Sequence, residues 1–72
     1  MKEKIGFVIK EIRKNKKISQ YKLALISGLS MGYISHIESG HYSISVDALK
    51  KIADALGVPA WEILKRVEDE SE

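Results

Sequence analysis

The 72-residue chain contains no cysteine, which excludes a disulfide framework and thiolate metal sites and leaves the redox compartment open, although it fits a reducing one. It has a single proline, and no apolar run nears the roughly 18 residues that a membrane span needs. The lysine-bearing N-terminus also lacks the apolar stretch and cleavage site of a signal peptide, so the sequence predicts a soluble, cytoplasmic protein with no membrane partner. Its length is an exclusion too. A chain this short buries only about 60% of the surface its unfolded form exposes, which leaves no room for two self-sufficient cores. Without a disulfide or an evident metal, stability must come from close helix packing or from a partner subunit, and dimerisation is an early expectation.

An excess of one charge is also missing: 12 Lys and Arg stand against 10 Asp and Glu, for a net charge of +2. The distribution is uneven. Met1 to Val46 carries eight basic side chains and three glutamates, whereas Asp47 to Glu72 carries four and seven. Lys10, Arg13, Lys14, Lys16 and Lys17 crowd the end of the first predicted helix. Such a cluster attracts phosphate by counterion release, but it also complements a helix dipole as a solvated helix end. Charge alone leaves both readings open.

What the chain does have is helical period. Ile5, Val8, Ile9 and Ile12 form one apolar stripe of a helix from about Lys2 to Lys16. Ser19 caps a short second helix that stops at Gly28, and Ser30 caps a third, from about Met31 to Glu38, ended by Gly40 in the same way. After the loop His41 to Ile44, Ser45 caps a fourth helix in which Val46, Leu49, Ile52, Ala53 and Leu56 keep the period as far as Gly57. Pro59 suits a first helical position, and Trp61, Leu64 and Val67 are read as the apolar face of a closing helix. No alternating strand and no repeat is evident, so the fold class is all-α, with five short helices around one core. Residues 1–67 form a single domain, and residues 68–72 an acidic, frayed tail.

The informative stretch is Ser19 to Glu38, where two short helices meet through the tight turn Ser27, Gly28, Leu29, with small Ala24 at the crossing. Leu23, Leu29, Ile34 and Ile37 supply the apolar contacts of a helix-turn-helix. The outward side of the third helix carries Gly32, Ser35 and His36, flanked by Met31 and Tyr33, and a protruding helix of that width fits the major groove of B-DNA.

From Ile5 to Leu64 the chain resembles the phage Cro and repressor (XRE) type of DNA-binding domain. The resemblance is carried by Ile5-Gly6 with Ile9, Ile12 and Arg13; Ser19-Gln20 with Leu23-Ala24; Gly28; Tyr33-Ile34-Ser35 with Ile37-Glu38 and Gly40; and Leu49, Ile52-Ala53 and Leu56-Gly57-Val58. Among chains of this length it is similar to the controller proteins of restriction-modification systems and to small phage or mobile-element repressors. The resemblance implies a compact five-helix, lambda-repressor-like domain that binds double-stranded DNA. It implies that Gln20, at the start of the second helix, meets a phosphate. It implies that Arg13 and Glu38 form a structural ion pair, and that Met31, Gly32, Tyr33 and His36 face base edges. Ser35, Ser39, His41, Tyr42 and Ser43 would then lie near the sugar-phosphate backbone, with Lys10, Lys14, Lys16, Lys17 and Lys22 adding phosphate attraction.

The chain departs from the family pattern where it matters for readout. Met31 and Gly32 stand where relatives usually carry Arg, Gln, Asn, Ser or Thr, and neither makes a bidentate bond to a base. Met31 offers a thymine methyl contact, Tyr33 and His36 offer hydrogen bonds, and the remaining specificity falls to DNA deformability. Phe7 and Val8 broaden the first helix's apolar face towards Trp61 or Leu64. His36 and His41, five apart, do not share a helical face, and no Cys or nearby acid joins them, so no metal is expected. Neither a catalytic site nor a cofactor is expected, because the short helical chain leaves little room for a pocket with a rigid base-orienting acid. The expected function is a sequence-specific transcriptional regulator, of repressor or controller type, that binds a two-fold operator as a homodimer paired through Trp61 and Leu64. The alternative is a protein-interaction module, antitoxin-like or an adaptor subunit, that retains the fold.

Overall fold

The computed structural model describes residues 2–70 and the side chains of residues 3–69. Its elements are α1 (Lys2–Asn15), α2 (Gln20–Ser27), α3 (Met31–Glu38), α4 (Val46–Leu56) and α5 (Ala60–Glu70). Three serines set where helices begin. The hydroxyls of Ser19, Ser30 and Ser45 accept from the amides of Lys22, Tyr33 and Ala48, each at 3.0 Å, satisfying a donor that the first helical turn leaves without a partner.

The helix exits are less uniform than the sequence predicts. At Gly28 a single bond from its amide to Ala24 O, 3.0 Å, closes α2. Gly40 does not repeat that pattern. Its amide donates to Ile37 O at 3.1 Å and the His41 amide to His36 O at 3.0 Å, the two-bond exit that turns the following loop back over the helix. The same pair of bonds ends α1, from Lys17 to Lys14 O at 3.0 Å and from Ile18 to Arg13 O at 3.1 Å, but here the left-handed residue is a lysine, Lys17, at φ 60°.

Helix α1 packs on α3 and α5, α2 on α3 and α4, and α4 also on α5. The most deeply buried side chains, Ile9, Leu23, Ile34, Ile37, Ile52, Ile63 and Val67, come from all five helices. Close approach of α1 to α3 depends on Gly6, where a Cβ would overlap the carbonyl oxygen of Ile37. The inward face of α5 differs from the one predicted. Ile63 and Val67 are buried, while Trp61 is 63% and Leu64 49% exposed. Trp61 lies two residues, about 200° of helical turn, from Ile63, so the two cannot face one core. By the same geometry Ala48 is buried and Val46, two residues earlier, is exposed. Val8 joins the core, but Phe7 is about half exposed. Helix α5 continues through Glu68 and Asp69 to Glu70, past the predicted start of the tail, and Lys65 pairs with Asp69 one turn on at 3.8 Å. Ser71 and Glu72 lie outside the described residues. Among the described residues, no helix is long and apolar enough to cross a membrane.

Candidate nucleic-acid interface

A buried polar network sets the attitude of α2 and α3 to the rest of the domain. Arg13 donates from Nε to Glu38 Oε2 at 2.7 Å and from Nη2 to Oε1 at 3.0 Å, a two-pronged pair between α1 and the end of α3. Its Nη1 donates to the carbonyl of Ile18 at 2.7 Å, and Gln20 Nε2 adds a bond to Glu38 Oε1 at 3.0 Å. The structural pairing of Arg13 with Glu38 is therefore present, and it also gathers the entry to α2. The Gln20 carboxamide is engaged inside the molecule by one of its two amide hydrogens, leaving its other hydrogen and its oxygen for an outside partner. By the rule of helix starts, the amides of Gln20 and Tyr21 have no intrahelical acceptor and point out along the axis of α2.

Helix α3 presents Met31, Gly32, Ser35 and His36 outward, while Tyr33 is half-buried against the core and Ile34 and Ile37 are fully inside. Nothing lies within 4 Å of the position a Gly32 Cβ would take, so this side of the helix is open. The Ser39 hydroxyl lies 3.0 Å from Ser35 O and 3.2 Å from His36 O. The same hydroxyl lies 3.0 Å from His41 Nδ1, within hydrogen-bond distance of the ring.

The two-bond exit at Gly40 brings together residues that the sequence holds apart. The rings of His36 and His41, expected on different faces, lie 5.7 Å apart between centroids. Tyr42 sits 4.8 Å from His36 and 6.2 Å from Tyr33. No helical period encodes this cluster, because half of it stands beyond the helix. Ser43 borders a different feature, an apolar groove of about 630 Å³ lined also by Glu3, Ile5, Ile44, Val46, Leu49 and Leu64. Among the described residues, no cluster of three or more His, Cys, Asp or Glu is placed to hold a metal ion.

Lys10, Lys14, Lys16, Lys17 and Lys22 are all exposed, and no ion pair engages any of them among the described residues. Three of these, Lys16, Lys17 and Lys22, flank the entry to α2. A protruding polar helix, orphan amides at the entry of its neighbour and unpaired cations beside that entry are the parts of a surface that takes up a phosphate backbone and reads a groove.

These features define a helix-turn-helix DNA-binding domain. A helix-turn-helix family model matches residues 9–60, and the chain belongs to that family in its Cro and repressor (XRE) branch, among DNA-binding proteins rather than enzymes. It is 41% identical over 60 residues to the immunity repressor protein of Bacillus phage phi105, covering 83% of this chain and 42% of that protein. Control protein C.BamHI of Bacillus amyloliquefaciens is 42% identical over 60 residues, covering 82% of this chain and 74% of that protein. The solved restriction-modification controller protein C.AhdI from Aeromonas hydrophila superposes with a TM-score of 0.83 at 34% identity, covering 85% of this chain and 92% of that one. The chain spans about half the length of the two phage phi105 proteins it matches, 42% of the immunity repressor and 57% of the ImmF control region 10 kDa protein.

Proposed function

We propose that the protein is a sequence-specific transcriptional regulator that binds a two-fold operator as a homodimer, each α3 entering one of two successive major grooves about 34 Å apart. The observation that carries this reading is the outward side of α3, where Met31, Gly32, Ser35 and His36 stand exposed, together with the unpaired lysines that flank the entry to α2. The similarity to an immunity repressor and to restriction-modification control proteins supports it. Gln20 and the first amides of α2 position the domain on a phosphate, while Tyr33 and His36 read bases and Met31 packs against a thymine methyl. Ser35, Ser39, His41 and Tyr42 border the sugar-phosphate backbone; Ser43, which also borders the apolar groove, stands at the edge of that set. The dimer forms through Trp61 and Leu64, which stand exposed on α5, with Leu64 continuing into the groove along Ile5, Ile44, Val46 and Leu49.

Selection of bound duplexes from a random DNA library at about 150 mM salt, with the protein's mass in solution measured alongside, tests the reading. A palindromic enriched site and a dimeric mass are expected; no enrichment on any sequence would refute it. A second reading, a protein-interaction module of antitoxin or adaptor type, draws on the exposed apolar side chains Tyr21, Leu25, Ile26 and Met31 around the α2–α3 turn. It requires a stoichiometric protein partner and no retention on DNA.

A further inference from the structure

We propose that Tyr42 is a positioning residue for base recognition: its ring, carried by the loop after α3, holds Tyr33 and His36 in the directions from which they meet the groove. The proposal rests on the regulator reading above and assigns the loop a task beyond touching phosphate. Tyr33 and His36 stand three residues apart on α3, close enough for one ring to reach both. Tyr42 does so, with its centroid 4.8 Å from His36 at a 32° tilt and 6.2 Å from Tyr33 at a 40° tilt. Both separations lie where aromatic rings attract.

The loop that carries the ring is held on both sides of Tyr42. Before it, the His41 amide is bound to His36 O at 3.0 Å and the His41 ring to the Ser39 hydroxyl at 3.0 Å. After it, Ile44 packs against the hydrophobic core. Gly40, at φ 81°, permits the reversal that lays the loop back on α3. An exposed histidine on a helix otherwise samples several rotamers, and a reader that must choose one on binding discriminates poorly between bases. A ring pinned by the loop makes that choice before DNA arrives. Tyr42 is itself 47% exposed, so its hydroxyl can lie near phosphate while its ring serves its neighbours.

The test is the same library selection applied to Tyr42→Ala, Tyr42→Phe, Tyr33→Ala and His36→Ala, with the His36 imidazole proton resonances of the free protein recorded for wild type and both Tyr42 variants. Tyr42→Ala is expected to lose about tenfold discrimination at the base pairs that Tyr33→Ala and His36→Ala also relax, and to shift the His36 resonances by loss of the ring current. Tyr42→Phe keeps the ring and is expected to keep both motif and resonances, while loss of the hydroxyl beside phosphate lowers affinity for all sequences alike. An unchanged motif with an even loss of affinity in Tyr42→Ala, or a Tyr42→Phe that behaves like the alanine variant, would overturn the proposal. So would unmoved His36 resonances. A wild type that enriches no motif sinks the regulator reading itself, and the resonances then report whether the ring contact exists apart from it.

Discussion

Gly6 and Lys17 occupy positions where the backbone dictates the residue, and only Gly6 is the residue dictated. At Gly6 the constraint is space, since any side chain meets the carbonyl oxygen of Ile37 where α1 crosses α3. Gly6→Ala must push the helices apart or strain both, and overpacking of this kind costs about 1–3 kcal/mol or more. For a small domain that is a large share of the total, at about 0.05–0.15 kcal/mol per residue. Urea unfolding of the variant should show a much lowered midpoint, and an unchanged midpoint would mean that α1 does not approach α3 so closely. At Lys17 the constraint is conformation, for a lysine held at φ 60° pays a steric penalty that glycine does not. Lys17→Gly should therefore stabilise the fold by about 0.5–1 kcal/mol after allowance for glycine's freer unfolded chain, raising the melting temperature by several degrees. The same change removes a cation beside the entry to α2, so DNA affinity should fall as stability rises. The salt dependence of binding should lose about one unit of slope. A stability gain with no change in the salt slope would remove Lys17 from the phosphate-binding border.

Between helices, the polar network at Arg13 sets the geometry on which recognition depends. Glu38 answers the guanidinium of Arg13, a residue only 7% exposed, so Glu38→Ala leaves a charge in the interior with its acceptor gone, at a cost of about 3–5 kcal/mol. Replacing both partners with apolar residues, Arg13→Met with Glu38→Leu, should cost less than Glu38→Ala alone, because no buried charge is then left without a partner. Equilibrium unfolding of the two variants measures the difference, and a double variant weaker than Glu38→Ala would mean that the network's worth lies in more than pairing.

That Arg13 and Glu38 pair was legible in the sequence through resemblance, and the helix starts were legible directly in Ser19, Ser30 and Ser45. The role of Gln20 in the same network was not, since a carboxamide at a helix entry carries no sign of which acceptor it will find. Helix α5 was legible as a helix but not in its orientation. Ala60, Ile63 and Val67 form one stripe and Trp61 and Leu64 another, each at helical spacing, and only packing against α1 and α4 decides between them. The ring cluster escaped for a further reason: it depends on the path of the chain after Gly40, which periodicity does not encode.

The side of α5 that packing leaves outside bears on how the assembled protein would bind. Trp61 and Leu64 are exposed on a helix that packs chiefly on α1 and α4, whereas the proposed DNA contacts belong to α2, α3 and the loop that follows. A substitution on one surface should therefore leave the other standing. Trp61→Glu places a charge on the proposed dimer face and, at 63% exposure of the native side chain, should change the stability of the single fold by no more than about 0.5 kcal/mol. Light scattering should then give a monomeric mass with an unchanged helical spectrum. Two linked half-sites gain about 10²–10⁴ over one through effective concentration, so affinity for a full operator should drop by a factor in that range. Affinity for an isolated half-site should barely move. Were Trp61→Glu to stay dimeric with full operator affinity, pairing would have to use another face of the molecule. Were it monomeric with operator affinity intact, each α3 would be reading its half-site alone, and the two-fold arrangement would contribute nothing to recognition.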